Sequence, residues 1–307
     1  MRIPRPIPIL SLLLAAGACF AGGGGPQPCP ASRADGPETA IVEVSLAGVP
    51  AILRVPAAVE LAPVLLWHGF GPPRSERELM ALLPLDDVPA VKVYLGLPLH
   101  GARAPAAGEL ARRQAEDLAS GVFEPVVMAG ARELPAVVAA LRAAGCARPG
   151  AAVGLFGFSA GGAAVFHALA ERDVAVSAAV VLNASTGLGA SVDAWERATG
   201  GSYAWNDRAR ALAARSDVVS RAADIAAGDP PPALLIAHGA EDAMVAGGHP
   251  QAAETALRPY YRGPHATRLQ LQVVEGMAHA PAGSAALGAL QAEVAAWFSR
   301  HLGPAGS

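Results

Sequence analysis

The stretch VGLFGFSAGGAA, Val153–Ala164, decides the fold. It opens as a continuous apolar run, the pattern of a strand buried on both faces, and continues through AGGAAVFHALAER, which reads as a helix. Between the two, Gly157-Phe158-Ser159-Ala160-Gly161 satisfies G-x-S-x-G. A nucleophilic hydroxyl has to stand clear of the sheet, and a sharp strand-to-helix turn achieves this by straining the backbone at the serine. Glycine on either side then omits the side chains that would collide across the bend. The start of the helix adds a positive dipole and free N–H groups beside the reacting atom. A glycine-rich connection with an inert serine is the alternative, because five-residue patterns recur by chance in a Gly- and Ala-rich chain.

Outward from this turn the chain alternates. TAIVEVSLAG and VPAILRVP read as a hairpin about Gly48, APVLLWHGF and AVKVYLGLP as buried strands, and SERELMALL as a helix capped by Ser75 with Glu78 at its third position. Phe123 to Ala144 is a long helical stretch, interrupted near Pro135 and closed by Gly145. Beyond the serine come the strands VSAAVVLNA, PALLIAHG and TRLQLQVVEG, a helix from about His249, and a last helix GALQAEVAAWFSRHL. The expected fold is α/β: a mainly parallel eight-stranded sheet with helices on both faces, spanning residues 39–303. The interval 185–229 lacks strand character and reads as a helical cap inserted after the sixth strand.

The chain has 307 residues, 52% hydrophobic and 16% charged, enough for one large core and without the polar bias of disorder. Its formal net charge is -3, and the 23 basic residues are scattered. That distribution excludes nucleic acid as a partner. Oligomeric state is not legible.

The first 18 residues read as an export signal: Arg2 and Arg5, then IPILSLLLAAGA, too short to span a bilayer. Residues 19–38 form a Gly/Pro-rich tether. Two readings stay open: lipidation of Cys19 after a lipobox-like AAGA, giving a membrane tether, or plain cleavage after Ala18 or Ala21. Either way the protein is expected outside the cytoplasm: periplasmic, anchored to the cell envelope or secreted. Cys29 and Cys146 are then either a disulfide pair or two unpaired thiols. No cysteine or histidine spacing suggests a metal site.

A serine hydroxyl needs a base, itself oriented by a carboxylate. In chain order, Asp242 follows one late strand in IAHGAEDAMV and His279 the last in VVEGMAHAP. Both fall at the carboxyl ends of parallel strands, where open α/β sheets place their sites. Asp242 also fits a plain turn residue.

With LLWHGFG, LGLPLHGAR, GLFGFSAGG, LIAHGAEDAMV and EGMAHAP in hand, the chain from about Ala40 to Leu302 resembles the α/β-hydrolase superfamily. Within it the chain resembles in particular the dienelactone-hydrolase and prolyl-oligopeptidase-like serine esterases. The resemblance implies Ser159 as nucleophile, His279 as general base then acid, and Asp242, not Glu241, as the orienting carboxylate. It also implies an oxyanion hole from the backbone N–H groups of Phe70 and Ala160, and a carboxylic ester hydrolase with no cofactor or metal, acting on a small-molecule ester. A catalytically idle binding lipoprotein and a small-peptide serine peptidase are the alternatives. The short distance between tether and His-Gly turn leaves no room for the propeller of peptidase relatives. His68 and His238 read as supports of turns and His167 as packing. His100 is a pocket candidate or a solvated loop residue, and Trp195, Tyr203 and Trp205 form a substrate wall or the cap's own aromatic core.

Overall fold

A computed structural model describes Cys29, residues 39–245 and residues 248–305. The expected signal segment, Cys19 and the tether apart from Cys29 lie outside the described residues. The strands are β1 (Ala40–Leu46), β2 (Val49–Val55), β3 (Leu61–Trp67), β4 (Ala90–Leu95), β5 (Val153–Phe158), β6 (Val176–Leu182), β7 (Ala233–Gly239) and β8 (Leu269–Val274). They form one sheet in the order β1-β2-β4-β3-β5-β6-β7-β8. The first hairpin and the β2–β4 pair are antiparallel, and every later pairing is parallel.

Alternation of side chains sets the layers. On β3, Leu65 and Trp67 face one core while Val64 and Leu66 face the other, and on β5 Leu155 and Phe156 divide the same way. Helices α1 (Glu76–Leu82) and α9 (Leu287–His301) cover one face through Leu79, Trp297 and Phe298. Helices α3 (Ala129–Ala143), α4 (Ala160–Glu171) and α8 (His249–Leu257) cover the other. Helix α2 (Glu109–Glu116) leads into a π-helical segment, Ala119–Met128, that joins this second layer. Ser75 caps α1 as expected, its hydroxyl accepting from Glu78 N–H at 3.2 Å.

The expected break at Pro135 is not there: α3 runs through it. The irregularity lies upstream, where the π-helical segment begins at Ala119, ahead of Phe123, and contains Pro125. A wider helical turn accommodates a residue with no N–H to donate.

After β6 the chain forms α5 (Leu188–Thr199), α6 (Asp207–Ser216) and α7 (Ala222–Ile225). The interval is helical as expected. Leu212, Val218, Ala222 and Ile225 are nevertheless buried in the core of the body, so only α5 faces the site described below. Cys29 and Cys146 are joined in a disulfide, with Cα atoms 5.0 Å apart and a sequence separation of 117. It lies against Val59, Pro63 and Ala305, at the amino ends of the parallel strands.

Candidate active site

β5 delivers Ser159 to the carboxyl edge of the sheet, and α4 leaves from the next residue. Ser159 adopts φ 53 and ψ −116, a conformation that costs an L-residue on the order of 1–3 kcal/mol. Its N–H donates to Leu182 O at 2.9 Å, fixing the turn to β6. The glycines are there for the expected reason. A Cβ on Gly157 would stand 2.2 Å from Gly161 O, and one on Gly161 would stand 2.4 Å from His68 O.

The three residues separated in sequence meet at this edge. Ser159 Oγ lies 3.0 Å from His279 Nε2, and His279 Nδ1 lies 2.8 Å from Asp242 Oδ2. An ionised carboxylate only accepts, so His279 donates from Nδ1 and leaves Nε2 to take the serine proton. Asp242 Oδ1 accepts from the backbone N–H groups of Met244 (2.8 Å) and Val245 (2.9 Å). Burial pushes the Asp242 carboxyl up, but the His279 hydrogen bond and charge and the Val245 N–H outweigh it and hold the group below the usual range. Its side chain is fully buried, whereas the neighbouring Glu241 is exposed.

Phe70 and Ala160 line the same cavity as Ser159 and His279. Gly69 N–H donates to Pro73 O at 3.1 Å and closes the turn that carries Phe70. Among the described residues no protein acceptor takes the amide of Phe70 or of Ala160, the condition an oxyanion hole requires. His68 braces this turn, as expected: Nδ1 donates to Gly69 O at 2.8 Å and Nε2 accepts Leu97 N–H at 3.2 Å. Burial pushes its pKa down to about 4, so it stays neutral. His238 is buried near Asp242, 4.0 Å from Oδ2, and burial lowers it too. His167 packs inside α4 and takes no part in the site.

The cavity beside Ser159 has a volume of about 340 Å³. His100 and Trp195 line it; Tyr203 and Trp205 do not. Of the three aromatics, Trp195 alone lines the cavity. Tyr203 stands behind it, edge-on to Trp195 at 6.5 Å and to Trp205 at 5.0 Å. Its hydroxyl donates to Asp117 Oδ1 at 2.5 Å, since a half-buried phenol needs an acceptor, and this draws the ring away from the cavity. His100 is buried, stacked on Phe70 at 5.2 Å, and its loop is fastened by Arg103, which donates to both Glu133 carboxylate oxygens and to Gly96 O.

Sequence reasoning missed three kinds of residue. Leu118 and Val122, from the helical segment misread at its start, form part of the wall. Ser185 and Ser191 add hydroxyls. Asn183, fully buried at φ 48, bonds to both late loops. Its place directly after β6, at the edge that also holds Asp242 and His279, was the signal that could have found it. Among the described residues no group of three or more His, Cys, Asp or Glu side chains could hold a metal ion.

Residues 129–305 match the model of the prolyl oligopeptidase family. The chain belongs to that family. It spans most of the α/β-hydrolase body, including the serine turn and both late loops. No match is found among curated proteins. Solved structures agree in fold. TT1662 from Thermus thermophilus is 22% identical with a TM-score of 0.64, covering 85% of this chain and 98% of its own. Carboxyl esterase 2 from the mycorrhizal fungus Tuber melanosporum is 19% identical with a TM-score of 0.57, covering 87% and 86%. Dienelactone hydrolase from Anabaena variabilis is 18% identical with a TM-score of 0.52, covering 87% and 99%. The protein is an α/β hydrolase of the serine type.

Proposed function

We propose that the protein is a serine esterase that cleaves carboxylic esters of uncharged acids through an acyl-enzyme. One observation carries the reading: the Ser159–His279–Asp242 chain of hydrogen bonds opens into a cavity whose lining holds no Asp, Glu, Lys or Arg. Ser159 Oγ attacks the ester carbonyl while its proton passes to His279 Nε2. The oxyanion is received by the amides of Phe70 and Ala160, each donor of this kind being worth roughly 10²- to 10³-fold in rate. Collapse expels the alcohol, protonated by His279. Water then enters, gives its proton to His279 and releases the acid from Ser159. Asp242 keeps the imidazole in the tautomer both halves require.

The printed names of structural neighbours, an esterase and a dienelactone hydrolase, support ester chemistry, whereas the family's description supports a peptidase. The lining favours the ester. A short peptide carries charged ends, and the wall offers no Asp, Glu, Lys or Arg to meet them. The idle-binder alternative has no need of a serine, imidazole and carboxylate in hydrogen-bond order. We also propose that the chain is exported: the Arg2–Ala18 pattern supports it, and so does a disulfide, which persists in oxidising compartments.

The test is hydrolysis of p-nitrophenyl esters of increasing acyl length by the purified protein, with Cys29 retained, beside its Ser159→Ala variant. Turnover lost in the variant supports the esterase. Cleavage of p-nitroanilides of short peptides in preference to every ester would favour the peptidase.

A further inference from the structure

Besides the triad, the polar residues lining the Ser159 cavity are His100, Gln114, Ser185, Ser191 and Thr199. Gln114 is exposed at the rim. The hydrogens of the other four are already directed elsewhere. Ser185 Oγ donates to Gly187 O at 2.8 Å, so the hydrogen between it and Ser191 Oγ, also 2.8 Å away, belongs to Ser191. Thr199 Oγ1 donates to Trp195 O at 2.8 Å. His100 Nδ1 lies 3.0 Å from Pro98 O, and because a carbonyl only accepts, the ring hydrogen is on Nδ1. Burial keeps that ring neutral. Its Nε2 is thus a bare lone pair, buried and without a hydrogen-bond partner among the described residues.

The interior wall therefore presents acceptors. Turning the Ser191 hydrogen toward a ligand would leave two oxygens 2.8 Å apart with no hydrogen between them, or force Ser185 to give up Gly187. Away from the Phe70 and Ala160 amides, a ligand carbonyl, ether or carboxylate oxygen in this cavity would meet lone pairs; a ligand hydroxyl would find partners.

We infer that the acyl group held beside Ser159 carries a hydroxyl, which donates to Ser191 or His100, so that the substrates are esters of hydroxylated, otherwise apolar acids. This rests on the esterase reading for its reaction. A second cavity of about 470 Å³ shares Phe70 and His100 with the first and is bounded by Arg74, Ser75 and Glu78.

The test uses p-nitrophenyl hexanoate together with its hydroxy and methoxy derivatives, the substituent being moved along the acyl chain. The methoxy group keeps the oxygen and removes the hydrogen. Rates are compared as kcat/KM divided by each ester's spontaneous hydrolysis. At one position the hydroxy ester should exceed its methoxy partner by about 10-fold or more, since the methoxy oxygen leaves a buried acceptor unpaired. It should also exceed the plain ester, and Ser191→Ala should narrow the ratio. Where that variant does not fold, the comparison in the native protein decides alone.

Calorimetric binding of the same esters to the Ser159→Ala variant separates the two ideas. Hydroxy ester bound about 10-fold tighter, with no turnover by the native protein, sinks the esterase reading and upholds only the recognition of a hydroxyl by this cavity. Turnover of plain hexanoate with no hydroxyl preference at any position does the reverse.

Discussion

The side-chain amide of Asn183 donates to the backbone carbonyl of His279 at 2.8 Å, hanging the loop that carries the base from the end of β6. The same amide reaches Ala278 O at 3.0 Å, and Asn183 Oδ1 accepts Gly239 N–H at 2.8 Å at the start of the Asp242 loop. One buried side chain thus sets the spacing between base and carboxylate. Its φ of 48 is a conformation asparagine tolerates better than most residues.

Asn183→Ala should lower kcat by about 10- to 100-fold with a much smaller change in KM, because the base is displaced and the cavity is not. Steady-state kinetics on a p-nitrophenyl ester and a melting curve check it. A folded variant with native kcat would remove Asn183 from this role.

Gly161→Ala should be more damaging than its size suggests. The new methyl would meet His68 O at 2.4 Å and Trp67 O at 2.5 Å, backbone atoms that cannot swing aside. Either the end of β3 moves away from the serine turn, taking Phe70 with it, or the chain fails to fold. Soluble yield and fluorophosphonate reactivity of the soluble fraction measure both. Native yield together with native reactivity would contradict the account.

Buried neutral histidines should make the protein acid-sensitive. His68 and His167 are held by burial at about 4, against about 6.5 in the unfolded chain. Between those values the unfolded state binds their protons and the native state does not. Stability is therefore full above about pH 6.5, falls as pH drops toward 4, and is lost at about 1.4 kcal/mol per pH unit for each histidine at full titration. His167 has no hydrogen-bond partner for either ring nitrogen among the described residues. His167→Leu should then shallow the slope by about one proton without destabilising the protein at pH about 7.5. Urea titrations across the range provide the check, an unchanged slope being the contrary result.

Reducing the Cys29–Cys146 bond should destabilise the fold. Releasing a loop of 117 residues returns chain entropy worth about 5 kcal/mol to the unfolded state. Melting curves with and without reductant measure the effect, and identical curves would count against it.

Much of this site was legible because its chemistry imposes local geometry. A strained serine between strand and helix demands Gly157 and Gly161, and parallel strands deliver Asp242 and His279 to one edge in chain order. What was not legible depends on packing between distant segments. Nothing local distinguishes Trp195, which faces the cavity, from Tyr203, which Asp117 draws behind it. Pro135 and Pro125 both sit in helical stretches, and only the π-helical turn, set by packing against the sheet, tells where the irregularity falls. The Cys29–Cys146 pairing depends on a fold that brings 29 against the end of α3.

The central claim is that Ser159 is an activated nucleophile, and covalent labelling tests it most directly. Incubated with an alkyl fluorophosphonate, the folded protein should gain a single phosphonyl group, mapped to Ser159 by peptide mass, and the Ser159→Ala and His279→Ala variants should gain none at the native rate. A folded native protein that takes no label, or takes it elsewhere, would contradict the account.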